Sequence, residues 1–292
     1  MPDRDTKSLA RSISLVENEV RGYEDILKSI PHNATPVIGV TGPPGAGKST
    51  LTNELIKEIV KQGKQVAVLC VDPSSPFNLG ALLGDRIRMS EWYNNPNVFI
   101  RSLASRGALG GLHPKIIELT DLVKMAAFDY IIVETVGVGQ SEIEIAGLAD
   151  ITVVVLVPES GDEVQAMKSG LMEIADIFVV NKSDRPAADL FMKNLQLLLS
   201  TNHKNEPPAI VKTIASQGEG VDKLFHTINA RLKTQSANNK REWLLTEKAF
   251  HLIQHKRMKD IDKVSLKQDI KKALENRSFN LYAFVEKWQT VD

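Results

Sequence analysis

The chain has 292 residues, with 36 Lys and Arg against 36 Asp and Glu. Zero net charge argues against nucleic-acid or membrane-surface partners, which are bound mainly through an excess of Lys and Arg. The single cysteine, Cys70, excludes an intramolecular disulfide and a cysteine-based zinc site.

The opening stretch, MPDRDTKSLARS, carries no apolar leader segment. No apolar run approaches the roughly 18 residues of a membrane span, so a cytoplasmic globular protein is expected. Residues 8–30 place Leu9, Ile13, Val16, Val20, Ile26, Leu27 and Ile30 at helical spacing, and Pro31 closes the segment. From Val37 to about Leu232 short β-branched runs alternate with helical patterns. The runs are Val37–Thr41, Gln65–Val71, Asn97–Ser102, Tyr130–Glu134, Ile151–Val157, Ile177–Asn181 and Ala209–Thr213. Several are apolar on successive residues, which suits strands covered on both faces. The expected fold class is therefore α/β, a doubly wound, mostly parallel sheet. Residues 1–35 form a helical extension on this reading and 36–234 the nucleotide domain. Residues 235–292 form a helical arm beyond the polar stretch TQSANNK, either a solvated amphipathic tail or an arm buried in a second subunit.

Gly42-Pro43-Pro44-Gly45-Ala46-Gly47-Lys48-Ser49 fits G-x-x-x-x-G-K-[ST], between a β-rich run and a helical one. Such glycines turn backbone N–H groups onto phosphate oxygens, and the helix that opens at Lys48, Ser49 and Thr50 adds its positive end. Lys48 would reach the β- and γ-phosphates of a nucleoside triphosphate, and Ser49 would ligate Mg²⁺.

Acidic residues follow at strand ends: Asp72 in VDPSSP, Asp85 in GDRIRM and Glu134 closing YIIVE. Ligands of open α/β sheets bind at the carboxyl ends of strands, so Asp72 and Glu134 are expected at a metal and phosphates. Asp85 has either that role or an ion pair with Arg86 or Arg88. Ser105-Arg106-Gly107-Ala108-Leu109-Gly110-Gly111 is either a plain flexible loop or a mobile segment that reads a nucleotide or partner. Val136–Gln140 stands where a moving loop senses a γ-phosphate. Gly161–Lys168 is a further switch carrying Asp162 and Lys168, or a helix start capped by Asp162.

Asn181-Lys182-Ser183-Asp184 ends a late strand, and N-K-x-D there reads guanine. The Asp184 carboxylate can accept from guanine N1–H and its 2-amino group, whereas adenine offers neither donor. Thr213-Ile214-Ala215-Ser216, at the next strand end, is expected to pack beside the base and offer a backbone N–H to its O6. GTP and GDP are expected over adenine nucleotides.

GPPGAGKST, VDPSSP, GDRIRM, SRGALGG, ETVGVGQSE, GDEVQAMKSG and NKSD, in that order, resemble the MeaB/ArgK family of P-loop GTPases, and LARSISLVEN resembles its leading helix. The resemblance implies a Mg²⁺-dependent, dimerising GTPase related to the nickel-insertion GTPases. It implies an adenosylcobalamin-dependent acyl-CoA mutase as partner, chiefly methylmalonyl-CoA mutase, whose cofactor loading it gates and which it protects. An older family name, arginine/ornithine transport-system kinase, implies an alternative role. Residue by residue, the resemblance gives Lys48 and Ser49 to phosphate and Mg²⁺, and makes Asp72, Asp85 and Glu134 metal-site or water-orienting acids. It places Gln140 in the second switch, Lys168 in a further switch that a partner repositions toward the nucleotide, and Asp184 on guanine. The family has Ser-Ala where this chain has Ile214-Ala215, and Arg241–Asp292 matches only as a helical arm.

Overall fold

A computed structural model describes residues 6–31, 33–73, 89–106, 111–137, 143–160, 170–202, 207–234, 239–258, 261–275 and 279–289. Seven strands form one wholly parallel sheet. They are β1 (Val37–Thr41), β2 (Val66–Asp72), β3 (Val98–Ala104), β4 (Tyr130–Glu134), β5 (Ile151–Leu156), β6 (Ile177–Val180) and β7 (Ala209–Lys212), and their spatial order is β3-β2-β4-β1-β5-β6-β7. The expected α/β class holds, and each strand falls within two residues of its run in the sequence. β1, β2, β5 and β6 are buried along their whole length, which accounts for their unbroken apolar sequences.

The helices among the described residues are α1 (Thr6–Glu17), α2 (Tyr23–Lys28), α3 (Lys48–Lys61), α4 (Ile116–Lys124), α5 (Ile143–Leu148), α6 (Gly170–Ile174), α7 (Ala188–Asn202), α8 (Val221–Thr234), α9 (Asn239–Arg257), α10 (Lys263–Glu275) and α11 (Leu281–Gln289). Alternate residues of the sheet, among them Ile38, Val40, Val68, Ile132, Val153 and Val179, meet α3 and α8 in one apolar cluster. α3 contributes Leu51, Leu55, Ile56 and Ile59 at helical spacing, and α8 contributes Leu224, Phe225 and Ile228. Phe225 meets Tyr130 edge to face at 5.4 Å, and the Tyr130 hydroxyl donates to Asn229 Oδ1 at 2.7 Å.

Three carboxylates secure the amino ends of the strands. Asp129 accepts from the Gln65 N–H at 2.8 Å, Asp150 from Val37 at 2.7 Å and Asp176 from Thr152 at 2.7 Å. Burial pushes the Asp176 carboxyl above the usual aspartate range, while the Thr152 N–H opposes that rise. Each of these acids accepts a backbone N–H at the start of a neighbouring strand, so their work is structural. The acids at the opposite, carboxyl edge lie beyond these pairings.

The amino-terminal segment, helical by its spacing, is split into α1 and α2. α1 buries Leu9, Ile13 and Val16 and packs against α4, but it stops after Glu17. Glu19 N–H bonds to Val16 O at 3.3 Å and Val20 N–H to Leu15 O at 3.0 Å, with Glu19 at φ 51°. This closure puts a glutamate in the left-handed position that glycine usually takes, so no glycine marks the stop.

By packing, the chain divides into two compact units, Met1–Glu242 and Trp243–Asp292. The second unit is helical and exposes Trp243, Phe250, Ile253, Val264, Leu274 and Tyr282. Within it the rings of Phe279 and Phe284 lie 5.7 Å apart. Among the described residues, no helix is long and apolar enough to cross a membrane.

Candidate functional site

β1 is flanked by β4 on one side and β5 on the other, so strand order reverses at its carboxyl end. That crevice is where open α/β sheets bind ligands. The loop Gly42–Gly47 fills it, between β1 and α3. Lys48 is 7% exposed and its Nζ donates to the carbonyls of Gly42 at 2.9 Å and Pro43 at 3.1 Å. The ammonium is thus held over the loop into which a phosphate would fit.

The N-K-x-D segment grips this same loop. Asn181, 2% exposed, donates from Nδ2 to Ala46 O at 2.9 Å, and Lys182 Nζ donates to Gly45 O at 2.8 Å. Gly47 sits at φ 91°, and a Cβ there would fall on the Asn181 amide, so only glycine lets the two segments close. Asp184 lies exposed at the rim. Asn181 Oδ1 accepts from Thr213 Oγ1 at 3.0 Å and from the Ala215 N–H at 3.1 Å. The Ile214 N–H donates to Glu219 O at 3.0 Å. Of the backbone donors expected to face a base, those of Ile214 and Ala215 therefore already serve the protein's own acceptors, and Ser216 is exposed.

Asp72 and Glu134 end neighbouring strands, since Cys70 is in register with Glu134. Both are buried, at 4% and 2% exposure. Ser49 Oγ donates to Glu134 Oε1 at 2.7 Å, and Thr52 Oγ1 donates to Oε2 at 2.7 Å. Sequence reasoning missed Thr52; the available signal was a second hydroxyl one turn beyond Ser49, on the same helix face. Thr50, between them, is exposed. Among the described residues, no cluster of three or more His, Cys, Asp or Glu side chains makes a protein-only metal cage.

Behind Glu134 the chain turns toward Lys48. Thr135 Oγ1 lies 3.0 Å from Thr41 Oγ1, and the Val136 N–H donates to Gly111 O at 3.1 Å. Gly137 has φ 89°, and a Cβ on it would fall on Lys48 Nζ and 2.6 Å from Gly42 O. Asp85, Gln140, Asp162 and Lys168 lie outside the described residues.

The β3–α4 loop leaves the site and meets the amino-terminal helices. Arg106, at φ 49°, donates from Nη1 to Glu17 O and from Nη2 to Asn18 Oδ1, both at 3.1 Å. His113 is 2% exposed; its Nδ1 accepts from the Lys115 N–H at 3.0 Å, which leaves the proton of the neutral ring on Nε2. That Nε2 finds no hydrogen-bond partner among the described residues. Burial pushes the His113 pKa down to about 4, with Arg106 and Lys115 adding to the fall and Glu17 and Glu118 opposing it. The folded pKa lies below the 6.5 of an unperturbed histidine, so the unfolded chain takes the proton first as pH falls. Stability is therefore full above that value and is lost as pH drops toward 4. We predict that this group removes on the order of 2 kcal/mol of unfolding free energy across that window. Denaturant melts at stepped pH should show His113→Gln flattening that part of the slope.

The chain matches the family model described as methylmalonyl Co-A mutase-associated GTPase MeaB over residues 9–269. A Pyrococcus horikoshii protein bearing a GTPase name is 47% identical over 238 residues, 78% of this chain and 74% of its own. GTPase ArgK of Escherichia coli is 33% identical over 270 residues, 85% of this chain and 81% of its own. Among solved structures, an LAO/AO transport system kinase superposes with a TM-score of 0.67 at 25% identity, covering 98% of this chain and 92% of that one.

Proposed function

The chain belongs to the MeaB family of GTPases, and from that premise we propose that it is a Mg²⁺-dependent, homodimeric GTPase that serves an adenosylcobalamin-dependent acyl-CoA mutase of the methylmalonyl-CoA type, gating cofactor loading and protecting the enzyme. The observation that supports this reading is the grip of Asn181 and Lys182 on the Ala46 and Gly45 carbonyls, which brings the N-K-x-D segment against the Gly42–Gly47 loop.

On this reading Gly42–Thr50 wraps the phosphates, Asn181, Lys182 and Asp184 hold guanine, and Ile214–Ser216 pack beside it. Lys48 exchanges its loop carbonyls for β- and γ-phosphate oxygens. The oxygen donors Ser49, Asp72 and Glu134 suit a small hard cation, and two buried carboxylates at adjacent strand ends fit one that keeps phosphate and water ligands too. Bound Mg²⁺ would supply positive charge to the phosphates. Water attacks the γ-phosphorus in line with the departing GDP, oriented by Glu134, Asp85 and Gln140, and Lys168 approaches when a partner orders its switch. Turnover without the partner is accordingly slow.

Gly137→Ala should report on the contact behind Lys48. The added methyl displaces the ammonium and strains a left-handed residue, so hydrolysis should fall at least about tenfold. Phosphate release under saturating GTP measures it.

Exposed Trp243, Phe250, Ile253 and Tyr282 support burial of the carboxyl-terminal helices in a second copy. Sedimentation of the full chain should give a dimer. A second reading, kinase of a transport system, takes support from the name of the solved LAO/AO protein. Tagged chain incubated in host extract with a non-hydrolysable GTP analogue, or with GDP, separates the two. Nucleotide-dependent capture of a cobalamin enzyme supports the mutase role. Capture of a transport protein, together with passage of label to it from γ-labelled GTP in a parallel incubation, overturns that role.

A further inference from the structure

The loop between β3 and α4 is anchored at both feet, and on two sides. Its first foot touches the nucleotide edge, because the Ser105 N–H donates to the backbone carbonyl of Asp72 at 2.9 Å. Its second foot does likewise, through Gly111 O and the Val136 N–H at 3.1 Å. On the other side both feet hold the corner between α1 and α2. Arg106 takes Glu17 O, Asn18 Oδ1 and, at 3.6 Å, the Glu17 carboxylate. Lys115 pairs with Glu19 at 2.9 Å and lies 4.5 Å from the Tyr23 ring centre. Glu17 is the centre of this arrangement: its side chain is only 12% exposed, and Arg101 of β3 donates to its second oxygen at 2.8 Å.

We propose that Glu17 is a positioning residue for the metal edge of the GTP site: it anchors Arg106, which holds the loop foot at Ser105, which in turn fixes the carbonyl, and hence the carboxylate, of Asp72. The proposal rests on the reading of Asp72 as a metal-site acid. It assigns the amino-terminal helices a task in the reaction besides covering α4. It also gives Arg106 partners in Glu17 and Asn18, at the end of α1. Arg106 reaches Glu17 from a left-handed backbone position, φ 49°.

Two arginines share one carboxylate, and that allows a clean test on the full chain. Release of a fluorescent GDP analogue is followed across a Mg²⁺ titration, with melting temperature recorded for every variant. Glu17→Gln should raise the Mg²⁺ concentration needed for half-maximal retention at least about fivefold. Arg106→Gln, which cuts the link from the more exposed loop side, should match it, and the double variant should go no further. Arg101→Gln cuts the same carboxylate from the strand; it should lower the melting temperature yet keep the Mg²⁺ midpoint within about twofold of wild type. A Glu17→Gln curve that overlays wild type overturns the proposal. So does tighter retention in that variant, which would mean that the released Arg106 binds the nucleotide, and so does an Arg101→Gln shift as large as that of Arg106→Gln. Release from wild type that ignores Mg²⁺ overturns the metal reading of Asp72 first, and the positioning role with it.

Discussion

Lys48→Ala should lower GTP hydrolysis at saturating nucleotide at least about 100-fold, the loss typical when one donor to developing negative charge is removed. Lys48 is 7% exposed and bonded to Gly42 O and Pro43 O, so its ammonium already lies over the loop that would hold the phosphates. Alanine removes the cation but keeps helix propensity at the start of α3. The fold should survive, because the apolar face of α3, from Leu51 to Ile59, is untouched. Phosphate release under saturating GTP, beside a melt of the same preparation, separates the two effects. Turnover within about threefold of wild type would remove Lys48 from the reaction, since a preorganised charge in a dry site is worth far more.

Asp184→Asn is the second large effect. A carboxylate accepts two donors from guanine, whereas an amide turned the same way presents an N–H₂ group to at least one of them. The mismatch leaves two donors facing each other, and GDP affinity should fall at least about 100-fold. Xanthine carries a 2-oxo group where guanine carries its amine, so the same variant should gain xanthosine diphosphate. Asp184 is exposed, and the grip on the loop comes from Asn181 and Lys182, so stability should be unchanged. Competition of GDP, xanthosine diphosphate and ADP for one fluorescent nucleotide measures all three. Equal affinity of wild type for GDP and ADP would sink the guanine assignment itself.

Much of this architecture is legible in the residues, for definable reasons. Strands buried on both faces need successive apolar side chains, so VIGVT, VAVLCVD and ITVVVL announce themselves. The phosphate loop and N-K-x-D are legible because their chemistry fixes residue type and spacing together. Other features depend on long-range approach, which spacing does not encode. The use of Thr52 as a second donor to Glu134 follows from how α3 crosses the end of β4. The division of labour between Asp129, Asp150 and Asp176 on one edge and Asp72 and Glu134 on the other follows from strand direction, which a list of carboxylates lacks. The stop after Glu17 escapes notice because Glu19 adopts the left-handed conformation with no glycine to signal it. Arg106 reads as an arginine in a glycine-rich loop, yet Glu17 and Asn18, which it holds, lie almost 90 residues earlier in the chain.

The mutase role is tested most directly by reconstituted loading. Apo acyl-CoA mutase is mixed with adenosylcobalamin, GTP, Mg²⁺ and either the wild-type chain or Lys48→Ala, and holoenzyme formation is followed by the cofactor's absorbance and by mutase activity. Wild type should make loading depend on GTP, and Lys48→Ala should abolish that dependence along with hydrolysis. If Lys48→Ala abolishes hydrolysis but leaves loading and mutase activity equal to wild type, GTP turnover by this chain does not serve the mutase.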